Sequence, residues 1–201
     1  MTLLRSLPNI GLIGKLRAGK NVAADYLASK YGYTQFAFGD ELKRYAHEIF
    51  GEPAPGTKPR ELYQWFGQTM RERDPDVWAR KCLDAIDWRA KDIEAANVSW
   101  RRLVPQGADV PFRAVISDVR QPNEATTLSS AGYVLIRVEA PDAVRIDRAI
   151  KSGDTFAYAD LMHGTETALD AYPADFTVDN GGSLDELYAQ IDAILEVLRI
   201  D

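Results

Sequence analysis

Residues 11–27 read GLIGKLRAGKNVAADYL. Gly14 and Gly19 enclose four residues, and Lys20 follows directly. This is the G-x-x-x-x-G-K spacing of a loop that cradles phosphate. Bound phosphate oxygens need several N–H donors converging on one point. Small residues let the backbone wrap that closely, and a following helix offers its positive N-terminal end. The context agrees with the spacing. The run NIGLI (9–13) precedes the loop and reads as a short apolar strand. Val22, Ala23, Tyr26 and Leu27 recur at helical spacing, predicting a helix from about Gly19 to Tyr31 that Gly32 stops. A glycine turn with a surface lysine would need neither neighbour. The expected phosphate loop is therefore Gly14, Lys15, Leu16, Arg17, Ala18, Gly19, Lys20 and Asn21, with Lys20 reaching the β and γ phosphates. Asn21 stands where Ser or Thr normally ligates Mg²⁺. Its amide oxygen can also coordinate a hard cation, directly or through water.

Outward from the loop, strands and helices alternate. YTQFAF (33–38) reads as a second strand, RAVISDV (113–119) as a buried one ending in Asp118, and YVLIRV (133–138) as another, begun after Gly132. DFTV (175–178) is the last strand and leads into a C-terminal helix. Ser183 and Glu186 predict a capping box there, and Leu184, Leu187, Tyr188, Ile191, Leu195 and Leu198 form the apolar stripe. Five apolar strands alternating with helices predict an α/β fold: a five-stranded, mostly parallel sheet with helices on both faces. Residues 39–97 break the alternation and read as a helical insertion, with helix starts at Asp40 and at Asp74-Pro75. Residues 100–111 read as an irregular connector. The whole is expected to be one domain over 1–201.

Composition narrows the function. The 201 residues carry a net charge of -6, which argues against general affinity for nucleic-acid backbones. Cys82 is the only cysteine, so an intrachain disulfide and a cysteine-based metal site are excluded. This usage fits a reducing cytoplasm. No apolar run reaches the ~18–20 residues that span a bilayer, so no membrane partner is expected. The N-terminal residues lack a small-residue cleavage site and run straight into the first strand.

Other residues carry chemistry. Asp118 ends an apolar strand, as a Mg²⁺-holding carboxylate would, and Arg120 points to the same side of an extended chain. A plain salt-bridged strand end has the same appearance. Arg145 and Arg148 share a face of a helix starting near Pro141. They suit the charge of a transferring phosphoryl group, although a solvated basic face has the same spacing. In the insertion, Asp40 and Lys43 lie one turn apart, and KPRELYQWFGQTMRERDPDVW (58–78) mixes Arg60, Arg71 and Arg73 with Trp65, Phe66, Gln68 and Trp78. Aromatics can sandwich a base and arginines can hold a phosphate. The same aromatics would also serve as the core of a small helical subdomain. His163 and Glu166 share a helical face, but two histidines in the chain do not support a zinc site.

The loop, FAFGDELK, the W-F-G-Q region, ISDVRQPNEA and the tail HGTETALD…DFTVDNGGSLDELYAQI occur in the order seen in bacteriophage-type deoxynucleoside monophosphate kinases, and the chain resembles that family of P-loop nucleotide kinases from about Ile10 to Ile194. The resemblance implies a P-loop NTPase-type three-layer sandwich. It implies transfer of the ATP γ-phosphate to a deoxynucleoside monophosphate, with ATP and Mg²⁺ bound. Catalysis would rest on Lys20, Asp118, Arg120, Arg145 and Arg148, and the metal on Asn21 and Asp118. Asp40, Lys43, Gln68, Arg120 and Glu124 would lie around the acceptor, with 39–97 as the monophosphate-binding insertion, where Trp65, Arg71 and Trp78 are further candidates for substrate contact. Residues from about 141 to 165 would form a short lid, and Asn180 would lie near the adenine of ATP. The partners implied are small nucleotides, and a homodimer is compatible with them. A phage-encoded chain would work in the host cytoplasm. Two other readings stay open: a related P-loop kinase with another acceptor, such as dephospho-coenzyme A, and a nucleotide-binding module without catalysis, which Asn21 favours.

Overall fold

The computed structural model describes residues 7–105, 107–152 and 168–200. His163 and Glu166, and most of the expected lid, lie outside these residues. The chain divides into two compact units: residues 1–35 with 111–201, and residues 36–110.

The first unit holds a five-stranded sheet in the order β2-β3-β1-β4-β5. The strands are β1 (Ile10–Ile13), β2 (Thr34–Phe36), β3 (Ala114–Ile116), β4 (Val134–Glu139) and β5 (Phe176–Asp179). β1 pairs in parallel with β3 and with β4, and β4 pairs in parallel with β5. Asn9 starts both ladders beside β1. Its side-chain oxygen accepts from Ala114 N at 2.7 Å, and its backbone oxygen accepts from Val134 N at 2.9 Å.

Period-2 alternation divides the strands between two faces. Ile10, Leu12, Val115, Ile136, Val138 and Val178 join one core with Ala23, Ala24 and Leu27 of α1 (Lys20–Tyr31) and Leu187 and Ile191 of the C-terminal helix. On the other face, a Cβ on Gly11 would meet the side chains of Leu135 at 2.8 Å and Leu128 at 2.9 Å. Leu128 belongs to α5 (Pro122–Ser130), so glycine lets this helix lie flat on the sheet. Helices thus cover both faces, as the α/β pattern predicts. α6 (Asp142–Lys151) follows β4, and α7 (Leu184–Ile200) closes the unit.

Asp192 of α7 ties this helix to α1. It accepts hydrogen bonds from Tyr26 Oη, Tyr31 Oη and Lys30 Nζ, each at 2.7 Å. Burial, together with the hydrogen bond to that carboxylate, leaves the Tyr31 phenol pushed up to about 12. The predicted capping box also forms. Ser183 N donates to Glu186 Oε2 at 2.8 Å, and Glu186 N donates to Ser183 Oγ at 3.3 Å.

The second unit is helical: α2 (Phe38–Phe50), α3 (Arg60–Arg73) and α4 (Val77–Leu103). Element boundaries differ from the sequence reading, two of them for a visible reason. The second strand stops at Phe36, because Phe38 already opens α2 and is buried. The connector expected from residue 100 is still helix as far as Leu103. Beyond the helix, Val110 is clipped by the buried Asn97. Its amide donates to Val110 O at 2.9 Å and accepts from Val110 N at 3.0 Å, standing in for a strand partner.

Candidate active site

The phosphate loop spans β1 and α1. Its conformation needs glycine at two places. Gly14 has φ +140, and a Cβ there would meet Val138 O of β4 at 2.2 Å. Gly19 has φ +108, and a Cβ there would meet Asn180 Nδ2 at 1.9 Å. Arg17 also adopts a left-handed φ of 62. These left-handed positions curl the loop tightly around its own N–H groups. Lys20, in the first turn of α1, folds its ammonium back over the loop. It donates to Gly14 O and to Lys15 O, the latter at 3.1 Å. The charge is thus held on the loop itself. Asn21 is exposed beside it.

A buried asparagine and a half-buried arginine hold the loop from behind. Asn180, just past β5, is only 1% exposed and donates to Ala18 O at 2.7 Å. Arg148 of α6 donates to Asn180 O at 2.8 Å and to the carbonyls of Arg17 and Ala18 at 3.4 Å. The Asn180 amide thus donates to the loop backbone and the Arg148 guanidinium to three carbonyls, so both residues position the loop.

Arg145 differs from Arg148. It is 2% exposed, and its Nε and Nη1 have no hydrogen-bond partner. Asp142 supplies a countercharge at 3.6 Å. Arg145 lines a cavity of about 410 Å³ that Gly14, Lys15 and Ala18 border on the loop side and Arg137, Pro141 and Asp179 on the strand side. A buried guanidinium with unused donors is costly unless an anion or another acceptor completes it. The cavity is of the size that holds a small ligand.

Asp118 and Arg120 follow β3, which pairs with β1. Asp118 therefore emerges at the same carboxyl edge of the sheet as the loop, half-buried, and Arg120 is exposed. Glu124 is 3% exposed, and its Oε2 accepts from Arg120 N at 2.8 Å and Gln121 N at 3.0 Å. Its carboxylate caps α5 and fixes the backbone that carries Arg120.

In the helical unit, Asp40 and Lys43 pair with each other at 2.9 Å on an exposed face. Trp65, Gln68 and Arg71 follow at successive i,i+3 steps of α3, and Trp65 is 56% exposed. Trp78 is a correction. It is 2% exposed, its indole N–H donates to Gly67 O at 3.2 Å, and its ring packs 5.5 Å from Phe66. It is the core of the unit and offers no face to a base.

Sequence reasoning passed over Arg137. An arginine inside the apolar run YVLIRV is the signal that could have marked it. It lines the cavity and donates to the carbonyls of Leu169 and Tyr172 at 3.0 and 2.5 Å. No group of three or more metal-ligating His, Cys, Asp or Glu side chains occurs among the described residues. Among them, no helix is long and apolar enough to cross a membrane.

Comparison with known proteins bears on the fold and on the resemblance read from the motifs. No family model matches the chain. The chain is 29% identical over 194 residues to a protein of Acanthamoeba polyphaga mimivirus named "Putative deoxynucleotide monophosphate kinase", covering 90% of this chain and 93% of the relative. It is 23% identical to the dephospho-CoA kinase of Aquifex aeolicus, covering 97% of this chain and 100% of that one. A gluconokinase from Sinorhizobium meliloti superposes over 97% of this chain and 95% of its own with a TM-score of 0.56 at 16% identity. The fold is that of the P-loop kinases. The resemblance to deoxynucleoside monophosphate kinases read from the motifs is found again in the viral relative.

Proposed function

We propose that this chain, a P-loop kinase by its fold, transfers the γ-phosphate of ATP to a deoxynucleoside monophosphate, giving a deoxynucleoside diphosphate and ADP. One observation carries the reading. A phosphate loop that holds its own lysine charge borders a cavity that is also lined by Arg145, a buried guanidinium with two unpartnered nitrogens. That combination suits a polyphosphate with a nucleoside attached.

In this reading the loop N–H groups and Lys20 bind the β and γ phosphates. Arg145 adds charge where negative charge gathers on the transferring group. Asn180 and Arg148 hold the loop rigid from behind. Asn21 and Asp118 are the groups that would hold Mg²⁺, the first through a neutral amide oxygen and the second through a carboxylate. Bound there, the metal would neutralise phosphate charge. Arg120, set by Glu124, grips the acceptor phosphate. The exposed side of α3, with Trp65, Gln68 and Arg71, and the pair Asp40–Lys43 serve the acceptor nucleoside in the helical unit. The likeness to a dephospho-CoA kinase supports a second acceptor of the same reaction class.

The test is ADP release, measured by a coupled assay against the four deoxynucleoside monophosphates, their ribose counterparts and dephospho-coenzyme A. Turnover with one or more deoxynucleoside monophosphates, well above the rest, is the expected result. Turnover with dephospho-coenzyme A alone would transfer the reading to that acceptor. ATP binding without turnover on any acceptor would leave only a nucleotide-binding module.

A further inference from the structure

Lys15, the second residue of the phosphate loop, carries a charge that the loop motif does not require. Its ammonium pairs with Asp170 at 3.2 Å, with the two side chains 38% and 44% exposed. Asp170 sits on a short turn that is unusually well held for a surface segment. Leu169 beside it is buried. Arg137, from inside β4, donates to the carbonyls on either side of Asp170, at Leu169 and Tyr172. The Tyr172 hydroxyl meets Thr126 Oγ1 of α5 at 3.1 Å. A mobile surface carboxylate would pair only loosely with a lysine. Here one buried apolar side chain and the bonds from β4 and α5 fix where the carboxylate stands.

We infer that Asp170, positioned by Arg137, is a built-in counter-ion that occupies the Lys15 ammonium at the cavity beside the loop and so sets the affinity of the loop for polyphosphate. Lys15 and Asp170 both border the cavity beside the loop. A polyphosphate entering there competes with Asp170 for the same ammonium and also meets the carboxylate's repulsion. Binding therefore has to break a pair before it gains a contact. Arg137 is a positioning residue in this scheme: it touches backbone carbonyls and acts through Asp170.

The inference rests on the phosphate-donor half of the proposed function, and the experiment keeps the two apart. Dissociation constants for Mg-ATP are measured by calorimetry on the whole chain for the parent, Asp170→Asn, Lys15→Met and the double variant. Asp170→Asn is expected to tighten Mg-ATP by about fivefold in the parent, the scale of one partly exposed ion pair. The same change is expected to give less than about twofold in the Lys15→Met background, because no ammonium is then released. Equal tightening in both backgrounds would reduce Asp170 to through-space repulsion and overturn the inference. So would no tightening at all. Arg137→Met is expected to reproduce part of the Asp170→Asn effect, and unchanged affinity in a folded Arg137→Met protein would overturn the positioning role. A parent chain that binds no Mg-ATP would defeat the proposed function itself and this inference with it. A parent that binds it without coupling between residues 15 and 170 defeats the inference alone.

Discussion

The strands of the sheet unit and the helices of the second unit treat large side chains differently. In the sheet unit the aliphatics of β1, β3 and β4 are sealed, with Ile10, Ile13, Val115 and Ile116 at 0% exposure. The buried polar residues there are put to use: Asn180 and Glu124 hold backbone beside the phosphate loop and Arg120, and Arg145 lines the cavity. The helical unit instead leaves Ile49, Phe50, Trp65, Trp88, Trp100 and Leu103 in the open. It draws its core from a few residues, above all Trp78 and Phe66. Phosphate chemistry needs donors fixed in advance, because the charge being met is the same in every turnover. A nucleoside-recognising surface needs aromatic area presented outward. The difference between the units is the one expected if the sheet unit performs the transfer and the helical unit selects the acceptor.

The largest effect tests the first half of that division. Lys20→Ala is expected to lower turnover by at least about 10²–10³-fold, since it removes a charge aimed at the transferring group. Stability should stay within about 0.5 kcal/mol of the parent, because the side chain's bonds to Gly14 O and Lys15 O are local to the loop and only part-buried. Steady-state rates with thermal unfolding check both, and near-parent turnover would remove the loop from the chemistry.

A pair of tryptophan variants sharpens the contrast within the helical unit. Trp78→Ala is expected to cost about 3–5 kcal/mol, as for a large aromatic lost from a closed core. Trp65→Ala should leave stability within about 0.5 kcal/mol and raise KM for the monophosphate. Denaturant unfolding and acceptor titrations separate the two, and equal loss of stability in both would erase the distinction between core and surface.

Arg120→Ala is expected to raise the monophosphate KM by roughly 10–100-fold, the scale of a charge-assisted hydrogen-bond pair. Mg-ATP affinity should not change. Equal weakening of both ligands would place Arg120 outside the acceptor site.

How far the sequence reveals these roles depends on distance along the chain. The phosphate loop was legible because its spacing, strand and helix are contiguous, and the α7 cap was legible because Ser183 and Glu186 are three residues apart. Roles set by distant partners were not. Asn180 meets Ala18 from 162 positions away, and Arg148 meets Arg17 from 131. Spacing alone could not tell Arg148, locked on carbonyls, from Arg145, with donors unused. Trp65 and Trp78 look alike in sequence because the aromatic-rich stretch from one helix to the start of the next does not declare which face is inward. Glu124 does not declare its cap in the sequence, because a capping carboxylate and a binding one are the same letter. The last turn of α4 was missed because Trp100–Leu103 precede Pro105, and the helix yields to the proline only two residues before it.

The smallest effect concerns the one unusual letter of the loop. Asn21→Thr is expected to lower the Mg²⁺ concentration for half-maximal rate by about two- to threefold, because a hydroxyl restores the commoner loop geometry for the metal. Stability should not move, since Asn21 is exposed. A higher Mg²⁺ requirement in the variant would show that the amide is the better ligand here.

The central claim is transfer of a phosphoryl group on the loop of the sheet unit to a nucleotide acceptor. Its most direct test supplies ATP labelled in the γ-phosphate together with each deoxynucleoside monophosphate and follows where the label goes. The account predicts label in a deoxynucleoside diphosphate with the parent chain, and none above background with Lys20→Ala. Label that stays in ATP or appears only as free phosphate, with every deoxynucleoside monophosphate, would contradict it.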